Sequence, residues 1–281
     1  MSAVIAAYDS ERFVAAAIES VLAQTHAPLE CIVMDDGSSD GTAKVAGGFG
    51  DRVRTISQPN AGVAAARNRG AEAARGEFLA FLDADDAWRP ERLERQLATI
   101  GDAEAGLCGS AVLGHGAPMG RSVRMRPARP TLDSLLLWRG TVVPASSNLV
   151  ITRVAFDELG GYDESYRLVP DWDLLLRLVA RGRLSYLDEL LVDYRWHAAN
   201  RTRDLAGIER ELELAYAAAF ARDGARITIS PRRADGGRHR MLAAAHLRLR
   251  HPRQGLTHLA RAVWRDPTAI GSMVASRLRR G

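Results

Sequence analysis

Several things are scarce in this 281-residue chain, and each scarcity removes a class of protein. No apolar run reaches the roughly 18 residues that a membrane-spanning helix needs, which excludes a helical span. The opening MSAVIAAYDS has no basic segment followed by a hydrophobic one, so a secretory signal is not expected. There are only two cysteines, Cys31 and Cys108, both in apolar, strand-like runs. They predict buried thiols rather than a disulfide, which fits a reducing, cytoplasmic setting. No internal repeat marks a solenoid. Lysine is almost missing: Lys44 stands alone, so arginine carries nearly all the positive charge.

What is present is 47% hydrophobic residues, enough for a sizeable core. The net charge of +4 conceals a division. Residues 226–281 hold thirteen arginines against only Asp235 and Asp266, while residues 1–225 carry an acidic excess. Such a tail predicts attraction to anionic surfaces, peripheral contact with the inner face of a membrane among them. The competing reading is arginine used simply on solvated helix faces. No nucleic-acid partner is expected, and nothing in the sequence assigns an oligomeric state.

Short apolar runs alternate with helical patterns over the first hundred residues, the signature of βαβ units and a parallel sheet. Strands are predicted at 3–7, 31–35, 53–57 and 77–83. Helices are predicted from about Phe13, capped near Asp9 or Ser10, at 41–45 with Asp40 as cap, and at 63–74. Another opens with Pro90 at its first position. Further on, strands are expected at 107–113, 147–151 and 190–194 and helices at 131–138 and 171–179. Beyond residue 205 the pattern is helical only, with helices at 208–221, 238–249 and 253–264. The result is an α/β chain: a domain at 1–204, halved near residue 100, and a helical, Arg-rich appendage at 205–281.

Carboxylates fall twice at the carboxyl ends of predicted strands, as Asp35-Asp36 and as Asp83-Ala84-Asp85-Asp86. Open α/β sheets bind ligands there. Two carboxylates one residue apart suit Mg²⁺ or Mn²⁺, which take hard oxygen ligands together with substrate phosphates. Taken alone, the pair is equally an acidic loop, and Asp35–Thr42 is equally a turn that starts a helix. Asp173 reads as a residue of a first helical turn. Trp138, Trp172 and Trp196 suit either a groove or the core. His239, His246, His251 and His258 in the appendage show no ligand-like spacing, so no metal is expected among them.

The ordered set Val4–Asp9, Ile18–Thr25, Val33–Thr42, Asn60–Asn68, Gly76–Asp86, Gly160–Glu164 and Asp171–Leu174 resembles the family-2 glycosyltransferases over about residues 3–200. That resemblance implies the GT-A nucleotide-sugar-binding fold, a mostly parallel Rossmann-like sheet flanked by helices. It also implies inverting transfer from an NDP-sugar, with UDP-sugars favoured, to a hydroxyl of a glycan or lipid-linked acceptor. The first half of the domain would bind nucleotide and the second the acceptor. Residue by residue, Ala6, Ala7 and Tyr8 would line the nucleoside pocket, Asp36 would bond the base edge, and Arg67 would approach base or phosphates. Asp83 and Ala84 would face the donor, and Asp85, with Asp83, would ligate the metal. Asp171 matches the catalytic base, and His197 matches a late histidine near metal or diphosphate.

Three positions depart from the pattern: Ala6 where proline is common, Asp9 where asparagine is common, and Pro170 where a glutamate usually precedes the base. The last bears on the acceptor pocket and on the base's pKa. A nucleotidyltransferase is disfavoured because Ala-Tyr-Asp-Ser, not a glycine-rich basic loop, follows the first strand. A non-catalytic nucleotide-sugar binder is disfavoured by retention of Asp85 together with Asp171.

Overall fold

The computed structural model describes residues 1–113, 123–125, 130–138, 145–197 and 204–268. It divides into two compact units, Met1–Arg129 with Val143–Ala198, and Pro130–Val142 with Ala199–Gly281. The helical unit thus takes in 130–142, a stretch that the sequence pattern leaves inside the first domain.

In order along the chain the elements are β1 (Ser2–Ala7), α1 (Val14–Leu22), β2 (Glu30–Asp35), α2 (Thr42–Gly47), β3 (Arg54–Ser57), α3 (Val63–Ala73), β4 (Phe78–Asp83), β5 (Ala87–Trp88), α4 (Arg92–Ile100), β6 (Ala105–Leu113) and β7 (Val123–Met125). Then follow α5 (Leu132–Leu136), α6 (Ala145–Asn148), β8 (Leu149–Thr152), α7 (Arg153–Glu158), α8 (Pro170–Arg181), β9 (Leu184–Arg195), α9 (Leu205–Asp223), α10 (Pro231–Arg248) and α11 (Pro252–Arg265). Among the described residues the strands form one sheet ordered β3-β2-β1-β4-β8-β6-β9-β5, with β7 on β6. The β3-β2-β1-β4 half is parallel throughout, β8 runs against both its neighbours, and β9 runs parallel to β6. The α/β expectation holds, with the parallel character concentrated in the first half.

Burial explains the runs. β1 is covered on both faces, every one of its residues being buried, so it reads as a continuous apolar string. Helix α3 lies close against β1: a Cβ on Gly70 would fall 2.3 Å from a methyl of Val4. Arg153, at the head of α7, donates to the carbonyls of Ala71, Ala74 and Gly76, closing the carboxyl end of α3. Cys31 and Cys108 are both buried free thiols, as their sequence context predicts.

Several boundaries differ from the sequence reading, each for a local reason. Asp9 and Ser10 do not cap α1. Asp9 instead accepts from the Ser39 amide at 2.8 Å, and the Ser10 hydroxyl turns back to the Tyr8 carbonyl. The capping position of α2 is Gly41 rather than Asp40, although Asp40 accepts from the Thr42 amide at 3.0 Å and, through its other oxygen, from the Glu11 amide, which stitches the loops after β1 and β2 together. Pro90 lies two residues ahead of α4, where its carbonyl accepts from Thr25. The strand expected from Ser147 starts at Leu149. The Ser147 and Asn148 carbonyls are taken by the Trp88 and Gln96 side chains rather than by a neighbouring strand. β9 begins at Leu184, and its register on β6 shifts twice, skipping Asp188 and Glu189 and then Leu191, irregularities that break the alternation a reader looks for.

In the second unit α10 starts at Pro231, well before the expected Arg238, because Gly236 and Gly237 serve packing rather than breaking the helix. A Cβ on Gly237 would lie 2.7 Å from Leu137, and one on Gly236 would lie 2.9 Å from Asp266. The Tyr216 hydroxyl donates to the Leu136 carbonyl at 2.7 Å, tying α9 to α5. No described helix is long and apolar enough to cross a membrane.

Candidate active site

Register brings the first site residues together. Ala7 of β1 pairs with Asp35 of β2, and Ala6 pairs with Asp83 of β4, so three parallel strands end at one level. Past those ends lie Tyr8, Asp36, and Ala84 with Asp85. Tyr8 is 41% exposed, a free aromatic face at the strand tip, whereas Ala6 and Ala7 are buried below it. Ala84 is buried, its amide donating to the Ala6 carbonyl.

Asp36 is committed to its own chain. One carboxylate oxygen accepts from the Gln58 side chain at 2.7 Å and the Ala61 amide at 2.9 Å, and the other from the Gly62 amide at 2.8 Å. These bonds fold the 58–62 segment into the start of α3. Gly37 just behind has φ +73°, and a Cβ there would meet the Asn60 amide at 2.8 Å, so only glycine fits.

Helix α3 delivers Arg67 to the carboxylates. Its guanidinium pairs with Asp83 and lies 5.1 Å from the centre of the Tyr162 ring. Burial acts to lower its pKa, but Asp83, Tyr162 and Asp171 outweigh burial and raise it, so the charge is permanent. Tyr162 is held in place from the same helix. Asn68 donates to the Tyr162 carbonyl and accepts from its amide, both at 2.9 Å. Gly161 (φ +66°) leaves room for that contact, since a Cβ would come within 2.7 Å of the Asn68 oxygen.

Asp83, Asp85 and Asp86 each present an oxygen within 4.8 Å of the others. Burial raises the pKa of Asp85, with the Asp83 charge adding to it. Asp86 is pushed well above the ordinary carboxylate range by burial and by its two acidic neighbours. Converging hard oxygens short of positive charge fit a divalent cation such as Mg²⁺ or Mn²⁺. Asp86 is also tied into the protein, accepting from the Ser147 hydroxyl at 2.6 Å and the Arg195 amide at 3.1 Å. His197 Nε2 lies 2.9 Å from Asp85, and its ring stacks on Phe13 at 4.7 Å.

Asp171 stands in the first turn of α8, behind Pro170 at the first helical position, where proline is well suited. Its carboxylate accepts from the Trp172 amide at 2.9 Å, within the positive end of the helix dipole. Burial raises its pKa, Arg67 acts to lower it, and Asp83 raises it again. Asp171 and the acidic cluster therefore share one electrostatic neighbourhood, with Arg67 acting on both. Asp173 is buried and pairs with Arg177, and Trp172 is in the core.

With this geometry in view, the model of the family "Glycosyl transferase family 2" matches residues 2–160, more than half of the chain. The chain belongs to glycosyl transferase family 2. A second model, "Glycosyltransferase like family 2", matches residues 128–221. An uncharacterised glycosyltransferase of Nostoc sp. is 31% identical over 76% of this chain and 70% of its own length. One from Rickettsia prowazekii is 27% identical over 72% of this chain and 65% of its own. Among solved structures, S. aureus TarS superposes with a TM-score of 0.63 at 16% identity, covering 96% of this chain and 50% of TarS. At that identity the likeness is one of fold, and it bears out the GT-A expectation.

At this candidate site three contributors carry no role in the sequence reading: Asp86, Ser147 and Tyr162. Asp86 had a signal, since it extends the Asp83-Ala84-Asp85 run by one carboxylate. Tyr162 stood in the Gly160–Glu164 run but without a role, and Ser147 had no signal that spacing could supply, because it reaches Asp86 through a contact between distant segments.

Proposed function

We propose that this glycosyltransferase transfers a sugar, with inversion, from a nucleoside-diphosphate sugar to a hydroxyl of a glycan or lipid-linked acceptor. The observation that carries the reading is the electrostatic union of Asp171 with Asp83 and Arg67 at the carboxyl ends of the parallel strands. A UDP-sugar is the favoured donor. In support, a TarS fragment with a TM-score of 0.62 to this chain is described in complex with UDP-GlcNAc. The Bacillus subtilis protein TuaG, 27% identical over 72% of this chain, is provisionally named for teichuronic acid biosynthesis, in keeping with a polysaccharide acceptor.

In the proposed step the acceptor O–H gives its proton to the Asp171 carboxylate. The freed oxygen bonds the anomeric carbon, and the bond to the diphosphate breaks with its electron pair. A raised pKa makes Asp171 a stronger base once ionised, and Arg67 makes that ionisation easier. Tyr8 would offer its ring to the base, with Ala6 and Ala7 as the floor. Asp36 would shape the pocket through the 58–62 turn as well as meet the base edge. Asp85, with Asp83, would hold Mg²⁺ or Mn²⁺, and Asp86 would back them. When bound, such an ion stabilises the charge of the departing diphosphate. His197 would steady Asp85 and meet the diphosphate.

The test is donor hydrolysis and transfer with and without Mn²⁺. Asp171→Asn is expected to lower kcat by about 10²–10⁴, the usual contribution of a general base, while nucleotide binding persists. Asp85→Ala is expected to lose metal-dependent binding. Full activity in both variants rejects the mechanism, and nucleotide binding without turnover by wild type over a broad acceptor panel rejects catalysis.

The cytoplasmic face of a membrane is the proposed setting. Exposed Leu256 and Trp264 lie on α11 with exposed Arg253 and Arg261, a composition suited to an anionic surface. Other arginines of the tail are paired with acids, Arg238 and Arg265 with Asp235 among them. Reversing Arg253 and Arg261 to Glu should weaken co-sedimentation with anionic vesicles, and unchanged binding rejects the contact.

A further inference from the structure

The helical unit brings together what its sequence spacing keeps apart. His239 on α10 and His258 on α11 face each other with their Nδ1 atoms 3.0 Å apart, and both side chains are buried. Glu209 on α9 completes the group: each of the three offers a ligand atom within 4.8 Å of the others. We propose that Glu209, His239 and His258 form a transition-metal site, with zinc as the metal the donor set fits best, cross-linking the three helices of this unit.

The outer nitrogens decide what can lie between the rings. His239 Nε2 faces Asp235 at 3.9 Å, and His258 Nε2 faces Glu209 at 3.7 Å. A carboxylate beside Nε2 favours the tautomer with its proton there, leaving Nδ1 as a bare lone pair. With both rings in that tautomer, two lone pairs point at each other across 3.0 Å. With one ring reversed, a bare Nε2 points at a carboxylate instead. The carboxylates, at 3.7 and 3.9 Å, act on the outer nitrogens through charge alone, and a cation between the Nδ1 atoms removes the conflict of the two inner lone pairs.

A proton could fill that place, making one ring an imidazolium. Burial, the largest influence on both histidines, holds them below their ordinary pKa even though Asp235 acts to raise His239 and Glu209 acts to raise His258. A metal ion demands neutral imidazole, which is the form that burial favours. Two nitrogens on a tetrahedral zinc sit about 3.3 Å apart given Zn–N bonds near 2.0–2.1 Å, close to the observed spacing. The carboxylates are held ready. The Glu209 oxygen that faces His258 Nε2 holds that ring's outer proton, and the second oxygen, 3.7 Å from Arg238, is the one left for the ion, while Arg238 and Arg265 anchor Asp235 behind His239. His246 stacks on His258 at 5.1 Å and shields it.

The full chain, stripped with chelator, is titrated with Co²⁺ and then with Zn²⁺. Wild type should take up one Co²⁺ with the intense visible bands of tetrahedral nitrogen ligation, bleached by one equivalent of Zn²⁺. Octahedral Co²⁺ on the acidic cluster of the other unit gives only weak bands. His258→Gln should abolish the intense bands and weaken Zn²⁺ binding by more than the 10–100-fold lost with an outer-shell partner. Glu209→Gln should weaken binding with the bands retained but shifted. X-ray absorption of Zn²⁺-loaded wild type, which depends on no variant, should show imidazole scattering. A wild-type chain that binds Co²⁺ only with weak bands, or Zn²⁺ without imidazole scattering, overturns the site and leaves a shared proton between the rings.

Discussion

Replacing Arg67 by methionine keeps most of the stem and deletes a guanidinium that acts on both Asp83 and Asp171 of the candidate active site. Arg67 keeps only 5% of its side chain exposed, while its partner Asp83 keeps 26%. Breaking a fully buried pair costs roughly 3–5 kcal/mol, so about 3 kcal/mol is expected here, where water can solvate part of the orphaned Asp83. Asp85 and Asp86 lie beside it with raised pKa values, so the loss should be larger without Mn²⁺ than with it. Arg67 also acts to lower the pKa of Asp171. A base is active only when ionised, and a raised pKa moves ionisation to higher pH. Removing the cation should therefore shift the acid limb of kcat/KM upward, while Arg67→Lys, which keeps a charge, shifts it less. Denaturant unfolding with and without Mn²⁺ reads the first effect, and a pH–rate profile reads the second. A stability loss under 1 kcal/mol with an unmoved acid limb would refute the coupling.

Two further expectations test the frame around the site. Burial pushes the Cys31 thiol up to about 12 and raises Cys108 as well, so little thiolate forms in the folded protein near neutral pH. Both should resist a thiol reagent in the native state and react together on unfolding, and rapid native labelling would contradict the burial. Gly70→Ala adds a methyl 2.3 Å from Val4 Cγ1, and Val4 is fully buried and β-branched, so it cannot turn aside. The strain should cost about 1–3 kcal/mol despite the better helix propensity of alanine. Adding Val4→Ala should recover part of it, and additive losses in the double variant would show that the two side chains do not meet.

The strand tips of the first half were legible because buried parallel strands are short apolar strings that end abruptly in polar residues. The segment Phe78–Asp83 followed by Ala84-Asp85-Asp86 is the clearest case. What was not legible has a common physical character. Asp36 takes two of its three hydrogen bonds from backbone amides, which no side-chain pattern announces. The start of α10 at Pro231 rather than Arg238 depends on Gly236 and Gly237, whose neighbours leave no room for a Cβ. The register shifts at Asp188-Glu189 and at Leu191 hide the length of β9, since alternation is the sign by which a strand is recognised. The pairing of His239 with His258 depends on how two helices are rotated against each other, which spacing along either helix does not specify.

The coupling of Asp171 to the acidic cluster spans a long stretch of chain. Asp171 comes late in the chain from Asp83, yet a short physical path joins them. Asn68 grips the backbone of Tyr162 in the Gly160-Gly161-Tyr162 turn, one residue along α3 from Arg67. The Tyr162 ring lies beside the Arg67 guanidinium, and its hydroxyl meets Ser146, next to the Ser147 that holds Asp86. The glycine pair, the Arg67-Asn68 dipeptide and the acidic run are thus parts of one device. It fixes a permanent cation between the acidic cluster and the residue proposed as base. If Asp171 is the base, this position would keep its proton affinity high while Arg67 pairs with Asp83, leaving its charge for an acceptor hydroxyl.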